Sequence, residues 1–361
     1  MTAEHDARPR PAAHEVCAIV PAHNEAAGIA DTLAGLREQT SPVTRVVVVA
    51  DNCTDDTAEI ARRHGAEVVV TEGNQDRKAG ALNQAIARLD LPALTLVMDA
   101  DTVISPRFVE LALEELRDPA IGAVGAVFTG EGRSFLERCQ VNEWARYARQ
   151  LSRANRVWVL SGTAALIRSE ALRAVAQARG TTLPGRRGDV YLSDALTEDF
   201  ELTLALRTVG YDLRSPLECS STTEVMPTWP ALWRQRSRWY AGALQTVGTY
   251  GMTRVTWRYW GQQVMLGLST FAMALLLIVT ATAFFADDLT TSPFWIAVGV
   301  AFWVNQVVTS WRHRQGRWLS VLLLPELVYA LFLQAVFADS IRRRLLRQRL
   351  EWGHLESPAG A

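Results

Sequence analysis

RVVVVADNCTDDTAEIA (residues 45–61) decides the fold. Its β-branched run, Arg45–Ala50, suits a strand and stops at Asp51, and a helical pattern then continues through Ile60. Working outward, Val16–Val20 is a shorter apolar run ending in Pro21-Ala22-His23-Asn24-Glu25, followed by a helical pattern from Ile29 to Leu36. Val68–Thr71 reads as a third strand, Ala79–Leu89 as a helix, and Leu94–Met98 as a fourth strand ending at Asp99. Such alternation predicts an α/β domain with a parallel, doubly wound sheet. No G-x-G-x-x-G follows the first strand, which argues against a dinucleotide dehydrogenase.

Carboxylates follow one another in a telling order. Asp51 closes VVVVAD, Asp99 and Asp101 lie in VMDAD, Asp199 lies in LTEDF, and Gln235-Arg236-Ser237-Arg238-Trp239 comes last. Open α/β sheets bind ligands at the carboxyl ends of their strands. Asp-x-Asp at such an end can hold the divalent metal, Mg²⁺ or Mn²⁺, that a nucleotide diphosphate needs. Displacement at an anomeric carbon also needs a base for the acceptor hydroxyl, and Asp199 is the candidate. Arg238 can stabilise the departing diphosphate, and Trp239 offers a flat face for a sugar ring. One base and direct attack invert the configuration. Plainer roles also stand open. Asp51 can cap a helix, as can Thr197-Glu198-Asp199 before Phe200–Leu206, and Arg236 and Arg238 can be a solvated or lipid-facing basic stretch. Asp55 and Asp56 read as first-turn helix charges, and His23 as a loop residue.

Composition changes along the 361 residues, although the formal net charge is only -1. That balance gives no basic field for nucleic acid. From Trp260 onward three apolar runs appear, at residues 263–285, 293–310 and 318–338. A bilayer takes roughly 20 apolar residues, and tryptophans gather near the run ends, as interfacial aromatics do. We expect a multi-pass protein of the cell membrane: a tail at residues 1–14, a cytosolic domain at 15–250, a membrane region at 251–341 and a basic tail at 342–361. Arg312, His313, Arg314 and Arg317 favour a cytosolic loop. Three full spans would put the tail arginines outside, unless the third run re-enters at Pro325 or lies in the interface. The first residues lack an apolar signal core. Cys17, Cys53, Cys139 and Cys219 have no C-x-x-C spacing and read as structural thiols.

Taken together, IVPAHNE (19–25), VVVVADNCTDD (46–56), RKAGALN (77–83), VMDAD (97–101), SGTAALIR (161–168), TEDFEL (197–202) and QRSRW (235–239) resemble family 2 glycosyltransferases. The group is that of the membrane-embedded synthases of poly-N-acetylglucosamine, hyaluronan, chitin oligosaccharide and cellulose. The resemblance covers about residues 14–250 and implies a GT-A fold, a doubly wound mixed sheet followed by C-terminal transmembrane helices. It implies a UDP-sugar donor, GlcNAc first, a glycan or lipid-linked acceptor, and β-linkages formed one at a time or processively. Pro21, Asn24 and Glu25 match the first nucleotide loop, and Asp51 the carboxylate that reads uracil. Lys78 matches a residue near the diphosphate, Asp99 the carboxylate beside the ribose and donor sugar, and Asp101 the metal ligand. Ser161 and Gly162 match the acceptor loop, Asp199 the base, and Gln235, Arg238 and Trp239 the motif that grips the diphosphate and floors the acceptor site. Three segments are few for a polymer-wide channel, which would call for a homo-oligomer or a partner membrane subunit. Two alternatives remain, a polyprenyl-phosphate sugar transferase and a non-catalytic sugar-nucleotide-binding subunit of a membrane assembly.

Overall fold

Alternation along the strands sorts the core into two layers. In β1 (Val16–Ala22), Val16, Ala18, Val20 and Ala22 face one side, while Cys17 and Ile19 face the other. The same split recurs in β2 (Arg45–Ala50) and β4 (Leu94–Met98). On the first side pack α1 (Ile29–Arg37), α2 (Thr57–Arg63) and α4 (Phe108–Glu115), through Ile29, Leu33, Ala61, Phe108 and Ala112. On the second pack α3 (Arg77–Arg88), α6 (Ser169–Ala178) and α7 (Glu198–Thr208), through Leu82, Ala85, Leu172, Val175 and Leu202. Each fully buried Val, Leu or Ile contributes about 1.5–3 kcal/mol of transfer free energy, so the sheet is fixed from both faces.

In this computed structural model, residues 15–154, 157–286 and 323–346 are described, with scattered helical positions between 293 and 304. The main sheet has seven strands in the order β3-β2-β1-β4-β8-β6-β9. Its first four, with β3 at Glu67–Val70, run parallel as expected. Beyond β4 the sheet is mixed, because β8 (Ala164–Arg168) pairs antiparallel with both β4 and β6 (Ile121–Gly125), and β9 (Asp212–Arg214) closes the edge. A small second sheet joins β5 (Val103–Ile104), β10 (Ser220–Thr222) and β7 (Val127–Thr129). It lies directly after the Asp-x-Asp turn and so buttresses it.

Four further helices complete the described chain. The long α5 (Phe135–Ala154) packs on β7, and α8 (Trp229–Tyr250) carries the Q-x-x-R-W motif. Thr228 caps α8, its hydroxyl accepting from Ala231 N–H at 3.3 Å. After α8, Gly251 has φ 66°, a left-handed turn that suits glycine. Then α9 (Trp257–Phe285) runs 29 residues, with nothing burying its most apolar window. Among the described residues it is the one helix long and apolar enough to cross a membrane. The run at 293–310 falls mostly outside the described residues, as does Arg312–Arg317. The last helix, α10 (Leu323–Leu345), holds most of the third run. It lies along α8, with Tyr329, Val336, Phe337 and Ser340 buried. Phe332 meets the Trp229 and Trp233 rings at 4.7 and 5.6 Å, and Phe337 meets Tyr240 at 5.2 Å. Thus the third run docks on the catalytic domain, where the amino-acid sequence left a full span, re-entry at Pro325 and an interfacial helix all open. Arg342–Arg344 continue this helix rather than start a separate tail.

Candidate active site

Asp51 sits where β2 ends. Its Oδ1 accepts hydrogen bonds from Thr71 Oγ1 at 2.7 Å, Asn74 Nδ2 at 2.8 Å and Asn52 Nδ2 at 3.1 Å. It is therefore no helix cap; α2 begins six residues later, after Asp56. Pro21 pairs with Val49 in the sheet, and the loop after β1 folds back over Asp51. His23 Nδ1 lies 2.6 Å from the Asp51 carbonyl, and Asn24 Oδ1 accepts from Thr54 N–H at 2.8 Å. Asp55 ties the same loops, accepting from Ala26 and Thr57 N–H groups, a larger role than a first-turn charge. Asn24, Asn52 and Arg77 have φ 57°, 49° and 56°. Non-glycine residues rarely adopt such backbone, and all three flank candidate site residues.

The Asp-x-Asp turn follows β4. Asp99 Oδ1 accepts from Lys78 Nζ at 2.6 Å, and Asp101 accepts from Thr102 Oγ1 at 3.1 Å. Burial, followed by the Asp101 charge, pushes Asp99 up to about 6 against the opposing pull of Lys78. Burial likewise raises Asp101. Glu25 rises to about 7, through burial and then the charges of Asp101, Glu224 and Asp99. Continuing the antiparallel register Ser221↔Ile104 and Thr222↔Val103 brings Glu224 opposite Asp101. A concentration of carboxylates held above their ordinary range suits a hard divalent cation with oxygen ligands. Among the described residues no group of three or more His, Cys, Asp or Glu closes a complete cage. Such a cation would need ligands from elsewhere, as Mg²⁺ does when it shares carboxylates with substrate phosphates.

On the other side of Lys78 lies the TED segment. Lys78 Nζ also pairs with Glu198 Oε1 at 2.7 Å, so a single ammonium links the Asp-x-Asp turn to α7. Asp199 accepts from Phe200 N–H at 2.7 Å and Gly162 N–H at 3.2 Å. A Cβ on Gly162 would stand 3.1 Å from Asp199 Oδ2, so glycine permits this approach. Burial and then the Glu198 charge push Asp199 up to about 6. Burial also raises Glu198, but Lys78 and Arg238 outweigh it and hold that carboxyl below its usual value. Of the pair, Asp199 is the carboxylate that holds a proton more tightly. Thr197 precedes α7 without capping it through its side chain. At the expected acceptor loop, the Ser161 hydroxyl joins a Ser161–Thr163–Ser221 chain of 2.7 and 3.0 Å.

Helix α8 closes this side. Arg238 donates to the Leu196 carbonyl at 3.3 Å, and its charge acts on both Glu198 and Asp199. Gln235 Oε1 is buried without a hydrogen-bond partner. Arg236 is neither solvated nor lipid-facing; it is 2% exposed, bonded to Glu143 at 2.8 Å and centred 4.1 Å over the Trp239 ring. Glu224 and Glu143 carry no motif of their own. Glu198 had a signal in its place beside Asp199, whereas Glu224 and Glu143 depend on tertiary pairing. Behind α7, Arg179 and Glu201 form a fully buried pair at 2.6 Å, which Arg179 extends to the Val190 carbonyl. It anchors the segment leading into Thr197.

A family model described as Glycosyl transferase family 2 matches residues 17–176. The poly-beta-1,6-N-acetyl-D-glucosamine synthase of Staphylococcus epidermidis is 27% identical over 238 residues, covering 62% of this chain and 53% of that protein. Its Staphylococcus aureus (strain COL) counterpart is 26% identical over 237 residues, with the same coverage of 62% and 53%. The chain thus aligns with about half the length of these curated relatives. The mannosyltransferase PcManGT from Pyrobaculum calidifontis, solved with GDP-Man and Mn²⁺, superposes with TM-score 0.62 at 18% identity, covering 95% of this chain and 91% of that one. That is a likeness of fold. Residues 17–176 of this chain are a glycosyl transferase family 2 domain.

Proposed function

We propose that the chain is a membrane-attached, metal-dependent, inverting glycosyltransferase that moves GlcNAc from UDP-GlcNAc to a glycan acceptor and forms a β-linkage. The observation carrying this proposal is the Lys78 bridge, which sets the Asp99–Asp101 turn and the Glu198–Asp199 pair on two sides of one ammonium. Asp51, with Pro21 and Asn24, holds the nucleotide base. Asp99 and Lys78 flank the ribose and diphosphate. Asp101, with Glu25 and Glu224 nearby, would hold a divalent cation. Bound there, the cation supplies charge neutralisation for the departing diphosphate. Arg238 adds a fixed positive charge on the same side. Asp199 removes the proton from the acceptor hydroxyl as it attacks. Gly162 N–H orients that carboxylate, Gln235 contributes an acceptor atom, and Trp239 floors the acceptor.

GlcNAc is preferred because the aligned staphylococcal relatives are named for its polymer. The decisive test incubates membranes containing the full chain with UDP-GlcNAc, UDP-glucose or GDP-mannose, plus Mg²⁺ or Mn²⁺. Labelled glycan from UDP-GlcNAc, lost on chelation and restored by metal, is expected. Transfer from GDP-mannose alone would replace the donor. Transfer to an extracted polyprenyl phosphate would replace the acceptor. Donor binding without any product would leave a binding subunit.

A further inference from the structure

Trp239 does not stand alone in its helix. Arg236 lies one turn earlier on α8, and its guanidinium carbon sits 4.1 Å from the centre of the indole. That guanidinium is buried, so its position is set by its partners rather than by water. Its Nη2 donates to Glu143 Oε2 from α5 at 2.8 Å, and Tyr329 Oη from α10 donates to the same oxygen at 2.5 Å. Leu136, Cys139, Leu232 and Tyr329 form an apolar cluster beside these bonds. One carboxylate oxygen of α5 thus ties that helix to α8 and α10, through partners 93 and 186 residues away along the chain.

Resting on the glycosyl-transfer reading above, we propose that Arg236 is a positioning residue for the acceptor platform, oriented by Glu143 and by Tyr329 of the docked C-terminal helix. The guanidinium covers one face of the indole and leaves acceptor stacking to the other. A cation over an indole is held more strongly when desolvated than when exposed, and a buried Arg236 therefore biases the ring's orientation. Glu143 aims the cation, and Tyr329 aims Glu143. Docking of α10 on α8 therefore determines how well the acceptor is held, although α10 contributes no atom to the sugar itself.

The test uses the full chain in detergent, with UDP-GlcNAc and β-linked GlcNAc oligosaccharides as acceptor probes. Tyr329→Phe removes one hydroxyl and keeps the ring in its cluster. It and Glu143→Gln should raise acceptor KM about 3- to 30-fold while donor KM and donor affinity stay unchanged. Arg236→Lys keeps the charge without the planar stack, and should fall between wild type and Arg236→Met. Unchanged acceptor KM in all four variants, or acceptor and donor KM rising together, would overturn the proposal. A second measurement is independent of turnover. The Trp239 emission, isolated by subtracting the matching Trp239→Phe protein, should shift in Tyr329→Phe and Arg236→Met. If wild type transfers no sugar, the functional reading fails by itself. The emission difference then decides the network, and an unshifted difference rejects it.

Discussion

At Asp199 two requirements of a general base meet in one side chain. Its carboxylate is oriented by two backbone N–H groups, and burial beside Glu198 raises its proton affinity so that it titrates near 6. A base must be ionised to act, so turnover should rise with pH through about 6 and be lost as pH falls below it. Asp199→Asn should bind UDP-GlcNAc normally yet turn over about 10²–10⁴-fold more slowly, and what remains should lack that acid limb. Titrating donor affinity beside the pH–rate profile checks both; near-normal turnover would move the role to Glu198. Asp101 predicts the opposite split. Asp101→Asn should remove the metal dependence of donor binding along with transfer, since the carboxylate proposed to hold the cation becomes a neutral amide. Isothermal titration of UDP with and without Mn²⁺ reads this directly, and full activity in excess EDTA would reject a metal role.

Elements explain why these residues meet. Four parallel strands with their helices were legible because unbroken β-branched runs and strand-end carboxylates are local signals, and boundaries shifted by only a few residues, as for Ala79–Leu89 against Arg77–Arg88. The antiparallel β8 was not legible from pattern alone, since an apolar run carries no direction. Nor was the fate of Ser161, whose hydroxyl is taken up by Thr163 and, through it, Ser221 from a strand 58 residues away from Thr163. A surface role stayed open for Arg236 because its partners lie on α5 and α10. The RKAGALN motif gains a physical reason that its letters do not disclose. A Cβ on Gly80 would fall 2.0 Å from Asn74 Oδ1 and 2.7 Å from Asp76 Cβ. Asn74 also donates to Asp51 at 2.8 Å, so crowding at Gly80 should disturb the nucleotide pocket. Gly80→Ala should cost about 1–3 kcal/mol of stability, as overpacking does, and should weaken UDP binding. Urea unfolding and UDP titration measure the two effects, and a stable variant with normal UDP affinity would show that the loop has room to move.

Over the whole molecule, the soluble and apolar parts are joined through α8 rather than strung in series. The chain leaves α8 at Gly251, passes into α9, and returns as α10 to lie on α8 again. Polar contacts link the two later helices, Thr270 and Gln334 among them, with Gln334 Nε2 donating to Ser269 Oγ at 3.3 Å. Helix α9 is long enough to cross a bilayer, for its 29 residues rise about 43 Å at 1.5 Å each, more than a hydrocarbon core of about 30 Å. We therefore expect the full chain to remain with membranes after alkaline carbonate and to be released by detergent. On the function proposed above, the donor is a nucleotide sugar of the cytosol, which puts the catalytic domain on that side, and Arg312, Arg314 and Arg317 outside the described residues favour the same side. The arginines at the end of α10 must share that side too, because α10 is held on the catalytic domain by Tyr329 and Phe337. Single cysteines placed at Asp56, Arg314 and Arg343, in a chain whose native cysteines are replaced, should all resist a membrane-impermeant maleimide in intact cells and all react after lysis. Labelling at Arg343 from outside, with Asp56 protected, would detach α10 from the catalytic domain in the membrane and would undo the link between that helix and Trp239.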